Sequence, residues 1–199
     1  MSFRKEKKFR LSYGDMLLLK KDLLASGMKA LYPPRNINSC YFDTKDFRLY
    51  SESEEGVLPR KKVRIRWYNQ SDNFTKEEKI SSVEGRFKTT KTLDVGHTLD
   101  DIKNMQLIDQ IYGILVPALI VSYQREYYSL NQLRVTFDKR ISYVALRHMS
   151  NPEYQDGECV MEIKTPISCD DDYIESIVSH STSRFSKYSR GLLASDGAL

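Results

Sequence analysis

The sequence predicts an α+β fold of mainly antiparallel strands: an eight-stranded β-barrel closed into a tunnel, with a basic lumen and helices packed outside. Three observations predict it. Eight stretches alternate as strands do and are joined mostly by short polar connections. Three others repeat apolar residues at helical spacing. No repeat, low-complexity tract or Gly/Ser-rich linker divides the 199 residues, so 1–199 reads as a single domain.

In chain order, residues 3–11 read as a first strand and 13–26 as a helix. That helix carries Met16, Leu17, Leu19, Leu23 and Leu24, opens on Ser12 with Asp15, and stops at Gly27. Strands follow at 37–43, 60–69, 74–81 and 84–92, with a hairpin-like turn at Asn69-Gln70-Ser71-Asp72-Asn73. Residues 98–113 show Leu99, Ile102, Leu107, Ile108 and Ile111 behind Thr98, Asp100 and Asp101, and predict a second helix. Strands at 119–129 and 132–139 flank a turn at Asn131-Gln132, and another spans 157–165. Three aspartates open a last helix over 170–180, with Tyr173, Ile174, Ile177 and Val178.

Composition limits the function classes. Apolar residues at 40% support a core, and charged residues at 29% argue against long apolar spans. The longest apolar run, 114–121, is broken by Pro117, where a membrane helix needs about 20 residues. The opening Met1-Ser2-Phe3-Arg4-Lys5-Glu6 has no apolar segment behind its charges, so no secretory leader is expected. Cys40, Cys159 and Cys169 lack metal spacing and read as free thiols, which fits a cytoplasmic chain. The net charge of 31 − 27 = +4 is mild for a nucleic-acid binder, and none is expected as a partner.

The placement of charge says more than its sum. Side chains two apart on a strand share a face. Glu6, Lys8 and Arg10 (with Arg4) then oppose Phe3, Phe9 and Leu11; Lys62, Arg64 and Arg66 oppose Val63, Ile65 and Trp67. Arg134, Thr136 and Asp138 oppose Leu133, Val135 and Phe137, while Glu158, Glu162 and Lys164 oppose Cys159, Met161 and Ile163. Glu77 pairs with Lys79, and Tyr123, Arg125 and Tyr127 share a side. If the helices cover the apolar faces, the charged faces look inward. The lumen then holds Lys8, Arg64, Arg66, Lys79, Lys88, Arg125, Arg134 and Lys164, against Glu6, Glu77 and Glu162. Such crowding repels itself, and a chain of phosphates would relieve it. On this argument Arg64→Ala or Arg134→Ala weakens triphosphate binding and leaves the fold intact or steadier.

Arg4-Lys5-Glu6-Lys7-Lys8-Phe9, Tyr41-Phe42-Asp43-Thr44 and Lys62-Val63-Arg64-Ile65-Arg66 resemble the opening of a triphosphate tunnel metalloenzyme, and more narrowly the VTC (vacuolar transporter chaperone) domain of polyphosphate polymerases. Glu77-Glu78-Lys79, Phe87-Lys88, Tyr123-Gln124-Arg125, Arg134-Val135-Thr136-Phe137-Asp138, Glu162-Ile163-Lys164 and Ser186-Lys187-Tyr188-Ser189-Arg190-Gly191 agree in order. The resemblance implies that ATP, triphosphate or polyphosphate is bound with Mn²⁺ or Mg²⁺, and that polyphosphate is made from ATP. By motif, Arg64, Arg66, Arg125, Arg134 and Lys187 would act on the phosphates. Lys8, Lys79, Lys88 and Lys164 would bind them, and Glu162 with Glu6 would hold the metal. Arg4 stands where the CYTH branch carries the first carboxylate of its ExExK signature, which favours the VTC-like branch and leaves fewer metal ligands. The alternatives are a triphosphatase of the same fold or a non-catalytic polyphosphate- or nucleotide-binding module. Translocation of a product would require a separate membrane partner. His97, His148 and His180 read as structural or exposed, and Glu52, Glu54 and Glu55 as a solvated polar connection.

Overall fold

The computed structural model describes residues 4–69, 71, 73–94, 96–147, 152–195 and 197. Phe3, the side chain of Arg4, Gln70 and Asp72 of the first turn, and His148 lie outside them.

Strand β1 (Arg4–Leu11) leads into helix α1 (Tyr13–Ala25), whose first turn is closed by Ser12 Oγ accepting from Asp15 N at 3.0 Å. Gly27 follows at φ +96°, a conformation open to glycine. Strand β2 (Lys29–Asp43) begins eight residues earlier than its sequence predicts. Pro33-Pro34 hides that stretch, because prolines usually mark loops; its exposed position is where a strand tolerates them. Helix α2 (Arg48–Glu55) replaces the solvated connection expected around Glu52, Glu54 and Glu55, and buries Leu49 and Ser53.

Strands β3 (Arg60–Tyr68), β4 (Thr75–Ser82) and β5 (Gly85–Thr92) fall where alternation places them. The helix expected over 98–113 is cut short. Helix α3 (Leu99–Asn104) starts on a reciprocal Thr98–Asp101 cap, but β6 (Leu107–Asp109) then turns back into β7 (Gly113–Leu130). The Asp109 carboxylate accepts from Ile111 N at 2.9 Å and Tyr112 N at 3.2 Å, and Gly113 sits at φ +74°. These local bonds outcompete a helix that the apolar spacing alone suggested.

Strand β8 (Leu133–Ala145) leaves β7 through Asn131 at φ +52°. Then come β9 (Glu153–Gln155), β10 (Cys159–Pro166), α4 (Asp171–Ile177) and α5 (Lys187–Ser195).

The strand order is β1-β10-β8-β7-β2-β3-β4-β5, with β6 on β7 and β9 on β8. This corrects the closed eight-stranded barrel: the described residues form ten strands, eight in a path with two ends and two, β6 and β9, beside it. Terminal β5 explains why it can stop there. It is largely exposed, and among Lys, Arg and Thr it offers only Phe87 as a large apolar side chain. An edge blunted by cations discourages further pairing.

The chain divides into two compact units. The first comprises Met1–Asn36, Tyr123–Ile141 and Gln155–Phe185; the second comprises Ile37–Ser122, Ser142–Tyr154 and Ser186–Leu199. In the first, Met16, Leu19 and Leu23 of α1 and Ile174 of α4 pack on Phe9, Leu11, Val135, Phe137, Met161 and Ile163. In the second, Leu49 of α2 and Ile102 of α3 pack on Cys40, Phe42, Val63, Ile65 and Trp67. Both cores use the strand faces that alternation marks as apolar, so within each unit the charged faces lie opposite these helices.

Candidate functional site

Register turns the charged faces into rows. In the second unit Tyr41, Arg64, Glu77 and Thr90 are cross-strand neighbours, as are Ser39, Arg66, Thr75 and Thr92. A third row, on the other side of Glu77, is Lys62, Lys79 and Lys88. Like charges directly opposite on neighbouring strands are unfavourable, and here three lysines stand in line.

Glu77 is the carboxylate among these rows. One oxygen accepts from Arg64 at 2.6 Å and lies 3.7 Å from Arg66, while the other accepts from Lys88 at 2.6 Å. Burial pushes its carboxyl up, but the guanidinium charges of Arg64 and Arg66 and the bonds from Lys88 and Arg64 outweigh it and hold it at about 2. Arg66 is buried and also donates to Ser39 Oγ at 3.3 Å. Lys62 donates to Ser186 Oγ at 2.9 Å, the residue before Lys187 at the start of α5. Lys79 is exposed.

Helix α5 departs from the expectation that helices pack only on the apolar side. Tyr188 stacks on Tyr41 at 4.9 Å and 13°, and Arg64 donates to the Tyr41 hydroxyl at 3.0 Å. Burial pushes the Tyr41 phenol up, but Arg64, Arg66 and Lys62 prevail and bring it to about 8. Tyr188 in turn donates to Asp43 Oδ2 at 2.6 Å; its burial and the Asp43 charge hold its own phenol well above the usual value. Asp43 also accepts from the backbone N–H groups of Thr44, Leu49 and Tyr50. Two stretches far apart in sequence, Tyr41–Thr44 and Ser186–Gly191, therefore meet in one buried network. Gly191 is required there, because a Cβ would come within 2.4 Å of Leu119 and 2.6 Å of Tyr143.

In the first unit the rows are Glu6–Lys164–Arg134 and Lys8–Glu162–Thr136. Lys8 lies 3.3 Å from Glu6 and donates to the Phe185 carbonyl at 3.1 Å; Lys164 lies 2.9 Å from Glu162. Burial raises the Glu162 carboxyl, but Lys164, Arg125 and Lys8 together hold it well below the usual carboxylate range. Arg125 grips buried Asp138 with two bonds, at 2.6 and 2.7 Å, and the charge of Asp138 holds the guanidinium firmly protonated against the pull of burial. Arg134 is exposed.

The predicted residues therefore gather in two groups. Lys8, Glu6, Glu162, Lys164, Arg125 and Arg134 belong to the first unit; Arg64, Arg66, Lys79, Lys88 and Lys187 belong to the second. The severe crowding expected of the cations is corrected, because Glu6, Glu77, Asp138 and Glu162 pair with them. Four residues were missed as site members: Lys62, Tyr41, Thr136 and Asp138. Alternation already puts Lys62 with Arg64, and Thr136 and Asp138 with Arg134, so their signal was present. Tyr41 had no such signal, since its role depends on a stack with α5. Among the described residues, no group of three or more His, Cys, Asp or Glu side chains is arranged to hold a metal, and no helix is long and apolar enough to cross a membrane.

The family model of the VTC domain matches residues 3–195, and so extends over both units. No curated protein matches the chain in sequence. Among solved structures, a candidate adenylate cyclase from Bacillus halodurans is 18% identical with a TM-score of 0.57, over 93% of this chain and 94% of that one. A candidate adenylyl cyclase from Hippeastrum, described as having a dominant triphosphatase activity, is 14% identical with a TM-score of 0.56, over 99% and 97%. A candidate adenylate cyclase from Vibrio parahaemolyticus is 13% identical with a TM-score of 0.54, over 96% and 98%. At these identities the likeness is one of fold.

Proposed function

This chain belongs to the VTC-domain family, and from that premise we propose that it carries out metal-dependent phosphoryl transfer on a triphosphate or polyphosphate chain, most specifically polyphosphate synthesis from ATP. The observation that carries the reading is the lysine row Lys62–Lys79–Lys88 beside the Arg64–Glu77 pair. An arrangement that sets three like charges opposite one another is relieved by a multivalent anion, and phosphate oxygens match both the lysine ammoniums and the arginine forks.

Phosphoryl transfer asks for position and charge neutralisation more than for a nucleophilic side chain. Arg64 and Arg66 are held in place by Glu77 and Ser39, and Arg125 by Asp138, so these guanidinium groups are positioned before a ligand arrives. Within the first unit Lys8, Arg134 and Lys164 supply further charge; within the second Lys79 and Lys88 do, with Lys187 at the start of α5. The acceptor oxygen attacks the γ-phosphorus of ATP, the bond to the β–γ bridging oxygen breaks, and ADP leaves. With a terminal phosphate as acceptor the chain grows by one unit.

The family implies a divalent cation, Mn²⁺ or Mg²⁺ in this reading. The first unit fits one. Glu6 and Glu162 flank Lys8, one along β1 and one across from it, and Glu162 is held ionised. The Thr136 hydroxyl, cross-strand from Glu162, is buried without a hydrogen-bond partner among the described residues. One or two carboxylates completed by phosphate oxygens suit a hard cation of this size. Bound there, it would neutralise charge on the phosphates.

Water as acceptor is the second reading, motivated by the triphosphatase activity described for the Hippeastrum protein. Incubation of the purified chain with ATP and Mn²⁺ or Mg²⁺, with products resolved on a gel, separates the outcomes. Long chains support synthesis, free phosphate supports hydrolysis, and unchanged ATP with measurable binding reduces the protein to a binding module.

A further inference from the structure

We propose that Tyr32, Arg35, Tyr127 and Arg134 form a subsite that stacks the base of a nucleotide next to the phosphate-binding rows of the first unit. The inference rests on the phosphate-binding reading and adds to it the feature that would distinguish a nucleotide from an inorganic chain.

Tyr32 lies on the outlying half of β2 and is 51% exposed. Its ring meets that of Tyr127 edge-on, with centroids 5.9 Å apart and planes at 81°. The Arg35 guanidinium lies 5.8 Å from the Tyr32 centroid and 5.9 Å from that of Tyr127. Arg134 approaches Tyr127 from its own strand at 6.0 Å. Two guanidinium groups thus converge on one ring.

Their charges are unlike the others of the charged faces. Arg64, Arg66 and Arg125 each hold a carboxylate, whereas neither Arg35 nor Arg134 makes an ion pair among the described residues. A guanidinium kept over an aromatic ring without an acid to fix it presents a flat, cationic surface beside an aromatic one. Nucleobases stack on both kinds of surface, and such stacking tolerates any base. These rings also lie next to the phosphate-binding rows. Arg134 is the cross-strand neighbour of Lys164, which neighbours Glu6, and Tyr127 shares its strand face with Arg125. A nucleotide with its base on Tyr32 and Arg35 would reach Arg134 with its first phosphates and Lys164 and Lys8 with the later ones.

The test compares ATP with inorganic tripolyphosphate, which offers phosphates and no base, by calorimetric titration of the full chain. For Tyr32→Ala, ATP affinity is expected to fall by about five- to a hundredfold, the range measured for loss of one stacked base, with tripolyphosphate affinity unchanged. Tyr32→Trp should restore ATP binding. Equal losses for both ligands, no loss for either, or failure of the tryptophan variant to restore binding would overturn the subsite while leaving the phosphate reading in place. Wild-type protein that binds neither ligand would remove the phosphate reading, and the subsite with it.

Discussion

The two units present charged faces built by the same alternation, yet they balance charge differently. In the first, Lys8, Arg125, Arg134 and Lys164 are interleaved with Glu6, Asp138 and Glu162. In the second, the rows hold five cations, Lys62, Arg64, Arg66, Lys79 and Lys88, and one carboxylate, Glu77, which pairs with Arg64, Arg66 and Lys88. One pattern of cations thus serves two purposes. Where carboxylates are plentiful they can lend oxygens to a cation as well as fix arginines. Where a single carboxylate serves three partners, cations outnumber acids in the rows, and a bound anion is favoured there.

Substitutions test this contrast, the first with the largest effect. Arg125→Ala removes both guanidinium bonds from the buried Asp138 carboxylate, and should cost about 3–5 kcal/mol of stability, read as a fall in denaturation midpoint. An unchanged midpoint would show that the pair is not the anchor of the first unit. Next, Glu162→Gln should lower metal-dependent turnover by about 10²–10³-fold, the scale for one charge-stabilising group, while the second unit still binds tripolyphosphate without metal. Retained turnover would move the metal away from these carboxylates.

A smaller effect is expected in the second unit. Arg64→Ala should weaken triphosphate binding by about 1.5–3 kcal/mol and lower the melting temperature modestly, because Glu77 keeps Arg66 and Lys88 but loses its shortest guanidinium contact. This reverses the stability gain that repulsion alone suggested. Arg134 is exposed and has no acid partner among the described residues, so Arg134→Ala should change stability by no more than about 0.5 kcal/mol, read as an almost unchanged melting temperature.

The pH dependence separates the units last. Glu77 is lowered from 4.5 to about 2, so its contribution is present above pH 4.5 and is lost as pH falls through 2. Glu162 is shifted the same way, and both units should weaken in acid. Tyr41 acts in the second unit only. With its phenol lowered from 10.0 to about 8, the folded state releases a proton before the unfolded chain does, and stability without ligand should rise from pH 8 towards 10. Phenolate absorbance should show a titration near 8 that Tyr41→Phe removes. If the early titration persists in that variant, the assignment to Tyr41 is wrong.

Much of this was legible in the chain. The capped helix after Ser12, the apolar and charged faces of β1, β3, β8 and β10, and the membership of Arg64, Arg66, Glu162 and Lys164 in charged rows all follow from local periodicity. The misses have physical causes. Pro33-Pro34 concealed an exposed strand, and the Asp109 turn overrode a helical repeat. Helix α5 was not foreseen because its stability comes from packing: Gly191 against Tyr143, and Tyr188 on Tyr41.

The amino-acid order by itself determined which side of each strand would be oily and which ionic, because backbone geometry sends neighbouring side chains to opposite sides whatever surrounds them. Only the tertiary structure decided which acid would neutralise which base, since a pairing such as Glu77 with Arg64 and Lys88 depends on how strands align, and Coulomb attraction acts through space rather than along the chain. It also decided that the ladder stays open at β5 and that a helix settles on the ionic side of the second unit.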